Sequence, residues 1–224
     1  MKLFVAGTDT GVGKTVVSAL LVARFGGARP LGYWKPVATG AADERDRTTV
    51  EALVPGVVAP AEAYLYADPV SPHLAARREG VPIELARIAA RFAEMRSVWP
   101  EHGWVIEGAG GLLVPLDDAG TLQVELVRQM AAPLLLVARS TLGTINHTLL
   151  SLEAARRRSL AVAGVVLSGP PNADNREAIE LFGGVPVVAE VPRVEELSLS
   201  ALQADPQFRI DDLLLRDLFA SPDA

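Results

Sequence analysis

Short apolar runs alternate along this chain with longer stretches in which apolar residues recur at helical spacing. Residues 3–6 (LFVA) read as a buried strand and 14–25 as a helix, with 31–34 as a second strand. Residues 82–98 predict an amphipathic helix, because Ile83, Leu85, Ile88, Phe92 and Met95 fall near one face. Further on, 104–106, 134–138, 163–167 and 185–189 have strand character. The intervening 122–130, 146–158 and 174–182 have helix character, and 211–218 predicts a closing helix. Strands made of nearly continuous Val, Leu and Ile, each followed by a helix, predict an α/β fold. Its central sheet is mostly parallel and covered on both faces, in three layers. Residues 54–72 carry four prolines and read as an irregular excursion. With no repeat and no linker in view, one domain over 1–224 is the expectation.

The first strand runs into GTDTGVGKT, residues 7–15. Strand, glycine-rich turn and helix is the arrangement that cradles phosphate: glycines let the backbone approach, and free N–H groups at the helix start face the anion. Lys14 would reach the outer phosphates and Thr15 would offer its hydroxyl to Mg²⁺. The strict pattern asks for glycine at position 8, where Thr8 stands, so a glycine-rich turn over a buried lysine stem is the plain alternative.

Four more stretches bear on chemistry. In GYWKPVATG, 32–40, Lys35 follows a strand, and Pro36 turns the chain out of the sheet. Lys35 there faces either the same anion as Lys14 or water. In WVIEGAGG, 104–111, a buried strand is expected to end at Glu107, either as the second pole of an Mg²⁺ site or as a cap on the glycine turn. The charge run 42–47 is either a solvated loop or the source of a metal ligand among Asp43, Glu44 and Asp46. In 140–150, Gly143 and Thr144 open a helix whose free N–H groups suit a carboxylate, or merely an ordinary cap. No His, Cys and Asp grouping has the spacing of a metal site or a hydrolase triad.

Composition narrows the partners. The net charge is −6, so no overall basic field advertises nucleic acid. Cysteine is absent, which excludes disulfides, thiolate metal sites and a cysteine nucleophile. The opening apolar run is too short for a signal peptide, and no stretch reaches membrane-spanning length, so a soluble cytoplasmic protein is expected. Of 21 lysines and arginines only Lys2, Lys14 and Lys35 are lysines, which sets Lys14 and Lys35 apart from surface decoration.

Taken together, GTDTGVGKT (7–15), GYWKPVATG (32–40), SPH (71–73), EGAGGLLVPL (107–116) and LGTINH (142–147) resemble the dethiobiotin synthetase family, in order and spacing, over the first two-thirds of the chain. The longer G-T-D-T-x-V-G-K-T loop is that family's own form. The resemblance implies a P-loop NTPase-like fold and a homodimer. The implied reaction joins CO₂ to 7,8-diaminononanoate (7,8-diaminopelargonate) with ATP and Mg²⁺, through a carbamate and a carbamic–phosphoric anhydride. It further implies that Gly11, Val12, Gly13, Lys14, Thr15 and Val16 cradle phosphates, and that Glu107, Gly108, Ala109 and Gly110 lie against the nucleotide. Thr15, Asp46 and Glu107 would ligate Mg²⁺, with Asp43 the alternative to Asp46. Lys35 would be the catalytic lysine, Lys14 its assistant, and Thr39 a contact to the diamine. Gly143, Thr144, Ile145 and Asn146 would receive the substrate carboxylate. Ser168 and Gly169, with Val191, Pro192 and Arg193, would flank the nucleobase.

Two departures stand out. The extra residue in GYWKPV predicts a bulge ahead of Lys35. Ser168 replaces an asparagine common in the family, and a serine cannot make the two-pronged amide contact that suits adenine, so the triphosphate preference stays open. The rivals are a cobyrinic acid diamide synthase, which needs a cysteine-bearing glutaminase domain, and a partition ATPase, which carries an extra lysine where Thr8, Asp9 and Thr10 stand here.

Overall fold

The computed structural model describes residues 1–27, 29–40, 46–194 and 196–220, with side chains as far as 216. The chain opens with β1 (Lys2–Gly7) and α1 (Lys14–Phe25), followed by β2 (Leu31–Trp34) and the short β3 (Val37–Thr39). Next come α2 (Asp46–Leu53), β4 (Tyr64–Tyr66), α3 (Pro72–Glu79) and α4 (Leu85–Val98). The second half alternates β5 (Gly103–Gly111), α5 (Gln123–Met130), β6 (Leu134–Arg139), α6 (Thr144–Arg156), β7 (Val162–Ser168), α7 (Ala173–Gly183) and β8 (Val187–Val191). It closes with α8 (Leu199–Ala204), β9 (Arg209–Ile210) and α9 (Asp212–Ala220).

Seven strands form one sheet in the order β2-β5-β1-β6-β7-β8-β9. All its pairings are parallel except β8 with β9. Because successive side chains of a strand point to opposite faces, β1 feeds two cores. Phe4 and Ala6 pack with Trp34, Trp104, Ile106 and the apolar faces of α4, α5 and α6. Leu3 and Val5 pack with α1, Tyr33, Val105 and Leu135 on the other face. The helical layer on both faces is the expected three-layer arrangement.

The differences from expectation are local. The lead-in to Lys35 does not bulge: β2 pairs with β5 in unbroken register from Leu31↔Gly103 to Trp34↔Ile106. Trp34 is fully buried, stacks on Phe92 with centroids 5.7 Å apart, and donates its indole N–H to the Ala61 carbonyl. That packing fixes where the chain leaves the sheet, and so where Lys35 begins. Likewise β5 does not end at Glu107. It continues to Gly111, and the break appears instead as a bulge against β1, between Val5↔Glu107 and Gly7↔Gly111. The proline-rich excursion does hold a strand: β4 pairs with β3 in a separate parallel ribbon. α3 begins at Pro72, a residue suited to the first helical turn.

Candidate active site

The phosphate loop lies at the carboxyl end of β1, where ligands of open parallel sheets bind. Gly13 is the N-cap of α1 and sits in the left-handed region (φ 94°). A side chain there would also meet the Ser168 hydroxyl, 2.6 Å from an ideal Cβ, so two constraints select glycine. The loop is braced through Asp9. Its carboxylate accepts from the Thr10 N–H (2.7 Å) and from Arg139 (2.7 Å), and its backbone carbonyl accepts from Lys14 Nζ (3.3 Å).

Glu107 is the centre of the site. Only 1% of it is exposed, and a buried carboxylate needs partners. It has four. Oε1 accepts from the Thr15 hydroxyl and Lys35 Nζ, both at 3.1 Å; Oε2 accepts from Ser18 (3.1 Å) and Tyr33 (3.0 Å). Asp46 completes the cluster, accepting from Thr15 Oγ1 at 2.6 Å through one oxygen and from Lys35 through the other. Asp43 lies outside the described residues.

The two lysines respond oppositely to one environment. Burial pushes the Lys35 ammonium toward deprotonation, but Glu107 and Asp46 outweigh it and hold Lys35 above the ordinary lysine range. For Lys14 burial prevails over the attraction of Glu107, Lys35 adds repulsion, and its pKa falls. Burial raises Asp46, yet the adjacent Lys35 and the Thr15 hydroxyl carry it below the usual carboxylate value. Tyr33 is pushed well above the normal phenol by burial and by Glu107, so it remains a donor.

Oxygen donors dominate one corner. The single Thr15 proton can serve only one of Asp46 Oδ1 and Glu107 Oε1 at a time, so three oxygens crowd around one proton. A hard divalent cation suits that donor set. Among the described residues no group of three or more His, Cys, Asp or Glu side chains can hold a metal, so such a cation would need further oxygens from water or a phosphate.

Two grooves flank the loop. One of about 620 Å³ is lined by Gly11, Gly13, Lys14, Thr15 and Val16, by Lys35, Thr39 and Asp46, and by Glu107, Ala109 and Gly110; residues 69–72 form part of its wall. The other, about 640 Å³, is lined by Gly11, Val12, Gly13 and Val16 together with Arg139, Ser168, Gly169, Val191, Pro192 and Arg193. Gly108 lines neither: it is covered by the Gln123 amide. Gly143, Thr144, Ile145 and Asn146 also line neither groove; they open α6 beside the fully exposed Leu142. Sequence reasoning missed Ser18 and Tyr33. Ser18 lies one helical turn beyond Thr15, a spacing that puts both hydroxyls on one face.

Comparison with known proteins gives the family. An AAA domain family matches residues 1–200. The ATP-dependent dethiobiotin synthetase BioD of Paramagnetospirillum magneticum is 40% identical over 204 residues, covering 91% of this chain and 94% of the relative. The Agrobacterium fabrum BioD is 43% identical over 218 residues, covering 96% and 97%. This chain belongs to the dethiobiotin synthetase family. The biotin biosynthesis bifunctional protein BioCD of Bordetella avium is 47% identical over 205 residues, but the match spans 89% of this chain and only 41% of that protein. Among solved structures, a ParA family ATPase from Chlorobium tepidum aligns with TM-score 0.57 at 12% identity, covering 98% of this chain and 99% of that one. The MinC:MinD complex of Aquifex aeolicus gives TM-score 0.57 at 11% identity, covering 98% and 96%. These two share the fold with this synthetase-family chain, a P-loop NTPase-like fold, and at such identity nothing more. No helix among its described residues is long and apolar enough to cross a membrane.

Proposed function

We propose that this protein makes dethiobiotin from 7,8-diaminononanoate, CO₂ and ATP, with Mg²⁺, as a step of biotin biosynthesis. One observation carries the reading beyond family membership: Lys14 and Lys35, each under one-tenth exposed, line a single groove beside the phosphate loop. An amine that captures CO₂ becomes a carbamate anion, which a triphosphate repels. Two fixed cations between the anions offset that repulsion and hold the reacting atoms together. A carbamate oxygen attacks the γ-phosphorus in line, the bond to ADP breaks, and a carbamic–phosphoric anhydride forms. The second amine then attacks the carbonyl carbon, phosphate leaves, and the cyclic urea closes. No protein nucleophile is required.

Residues 11–16 cradle the phosphates through backbone N–H groups, with Lys14 on the outer oxygens. Thr15, Asp46 and Glu107 are the residues that would hold Mg²⁺, whose charge when bound offsets that of the triphosphate. Lys35 keeps its charge in the groove and grips the carbamate. Thr39, on the same groove, contacts the diamine. Glu107, Ala109 and Gly110 flank the phosphates, and Ser168, Gly169, Val191, Pro192 and Arg193 flank the nucleobase. We assign Gly143, Thr144, Ile145 and Asn146 to the carboxylate of the diamine, reached from a second copy in a homodimer. The half-exposed Leu113 and Leu150, which line one groove with His147 of α6, support that assignment as apolar surface suited to burial between copies. We read the chain as one domain working in the cytoplasm, where ATP is supplied.

The test is phosphate release with ATP and Mg²⁺, with and without the diamine and bicarbonate, then repeated with CTP and GTP. Release that requires both co-substrates is expected. Release indifferent to the diamine would sink the reading.

A further inference from the structure

We infer that Ser71 and His73 form a proton relay that opens onto the Lys14–Lys35 groove and removes the proton released when the diamine forms a C–N bond. This inference rests on the function proposed above.

Each new C–N bond converts an amine N–H into a proton that must leave. The titratable groups of the groove are already committed. Asp46 holds Lys35 and Thr15, and Glu107 serves four donors. Lys35 is held as a cation between two carboxylates, and Lys14 donates to the Asp9 carbonyl. Ser71 lines the same groove.

Its geometry is unusual for its position. Ser71 is the N-cap of α3, where a serine hydroxyl ordinarily accepts from a backbone N–H two or three residues on. Here it makes no such bond. The His73 N–H goes to the Pro115 carbonyl (3.3 Å), and the Leu74 N–H to the Ser71 carbonyl (3.0 Å). The Ser71 hydroxyl lies instead 3.1 Å from His73 Nδ1. Pro72 follows directly and lacks an N–H of its own. Ser71 thus lines the groove while its hydroxyl meets an imidazole.

The relay balances. As the amine N–H breaks, its proton passes to Ser71 Oγ, and the Ser71 O–H proton passes to His73 Nδ1. Ser71 is again a hydroxyl, and His73 is protonated on both nitrogens; the reacting tautomer carries its proton on Nε2. Asp118 and Arg77, bonded to each other at 2.8 Å, are the charged pair beside this ring, and His73 acts on Asp118 electrostatically. Arg78 and Asp68 pair on the β4 side, and Lys14, Lys35, Asp46 and Glu107 share the groove with Ser71. His73 is partly exposed and passes its proton to water. The other histidines are elsewhere: His102 lines a separate groove with Gly26 and Pro30, and His147 lies on α6.

The experiment is the pH dependence of kcat for co-substrate-dependent phosphate release, in wild type, His73→Asn and Ser71→Ala. An asparagine Oδ1 falls near where Nδ1 stands and keeps the hydrogen bond, but takes up no proton. Wild-type kcat is expected to fall toward acid pH. Both variants should lose about 100-fold in kcat near neutrality, the scale of general-base catalysis, and lose the acid limb. Their nucleotide affinity should stay within about threefold of wild type, which also reports that they fold. A purely structural role predicts that His73→Asn behaves as wild type with its acid limb intact, and that result would overturn the relay. So would a wild-type kcat that is flat from about pH 5 to 8, with no variant needed. Phosphate release that ignores the diamine in wild type would overturn the proposed function itself, and the relay with it.

Discussion

The helices α1 and α6 begin alike and end up in different roles. Each follows a parallel strand, β1 or β6, and these strands are neighbours in the sheet. Each is capped by a left-handed glycine, Gly13 at φ 94° and Gly143 at φ 92°, and neither has a side-chain cap. Both leave N–H groups of the first helical turn available to an anion, although at α6 the Thr144 N–H is already taken by the Thr141 carbonyl (3.1 Å). Their surroundings differ. Around α1 the chain interlocks Lys35, two carboxylates and the hydroxyls of Thr15, Ser18 and Tyr33, with Lys14 alongside on the Asp9 carbonyl. Around the start of α6 stands the fully exposed Leu142, and a side chain added at Gly143 would meet open space. The same backbone device is surrounded by partners in one place and stands bare in the other. On the function proposed above, a second copy of the chain would complete the bare one.

The largest effect expected on this contrast comes from Lys35→Ala. It should remove ring formation by about 10²–10³-fold or more while leaving nucleotide affinity nearly intact, as for a lost transition-state donor. Wild-type turnover in that variant, measured by dethiobiotin formation, would dissolve the distinction between a partnered and a bare helix start.

Paired glycine substitutions sharpen the contrast. Gly13→Ala and Gly143→Ala each meet left-handed strain of about 1–3 kcal/mol. Only Gly13→Ala also meets a neighbour, the Ser168 hydroxyl. Calorimetric titration should show weaker nucleotide binding for Gly13→Ala alone, and the Gly143 variant should raise the KM for the diamine. Equal effects on nucleotide would contradict the division of labour.

A smaller change is expected from Thr15→Val, which keeps the shape and removes the hydroxyl. The Mg²⁺ concentration for half-maximal activity should rise about tenfold, the loss of one ligand. An unchanged Mg²⁺ dependence would remove Thr15 from the metal's neighbours.

The smallest effect concerns pH. Asp46 is held below its unfolded value, so its contribution to stability is present above the ordinary carboxylate range and fades as pH falls through the depressed value. Lys35 is held above its unfolded value, so its contribution persists through neutrality and fades only as pH rises past the raised value. Thermal unfolding from pH 3 to 7 should therefore lose stability toward acid, and Asp46→Asn should flatten that slope by a few degrees at most. A slope unchanged in Asp46→Asn would mean that other carboxylates set the acid response.

Much of this was open to reading along the chain. The bounds of α1 and β2 agree residue for residue with the apolar periodicity, because glycine and proline punctuate both. α3 went unread even though Ser71, Pro72 and Gly80 mark its start and stop: its eight residues bury only Pro72, Ala75 and Ala76, too little for an apolar stripe. β3 and β4, three residues each, exist only because they pair with one another across some two dozen residues. β5 continues past Glu107 because the bulge against β1 absorbs the glycines, which from sequence read as a turn. α8 and β9 carry no motif.

The sequence alone determined the class of fold and singled out the glycine-rich loop with one lysine and one acid beside it, because these depend on periodicity and on local backbone freedom. Tertiary structure decided that Asp46 joins Glu107 on Thr15 and Lys35, and that Ser18 and Tyr33 complete the shell of that carboxylate. It also left Gly143–Asn146 outside both grooves. The reason is physical. A buried charge must find its partners, and in a parallel sheet those partners arrive from strands and helices that the crossovers bring together. Spacing along the chain tells which face a residue occupies; it does not tell which other element covers that face.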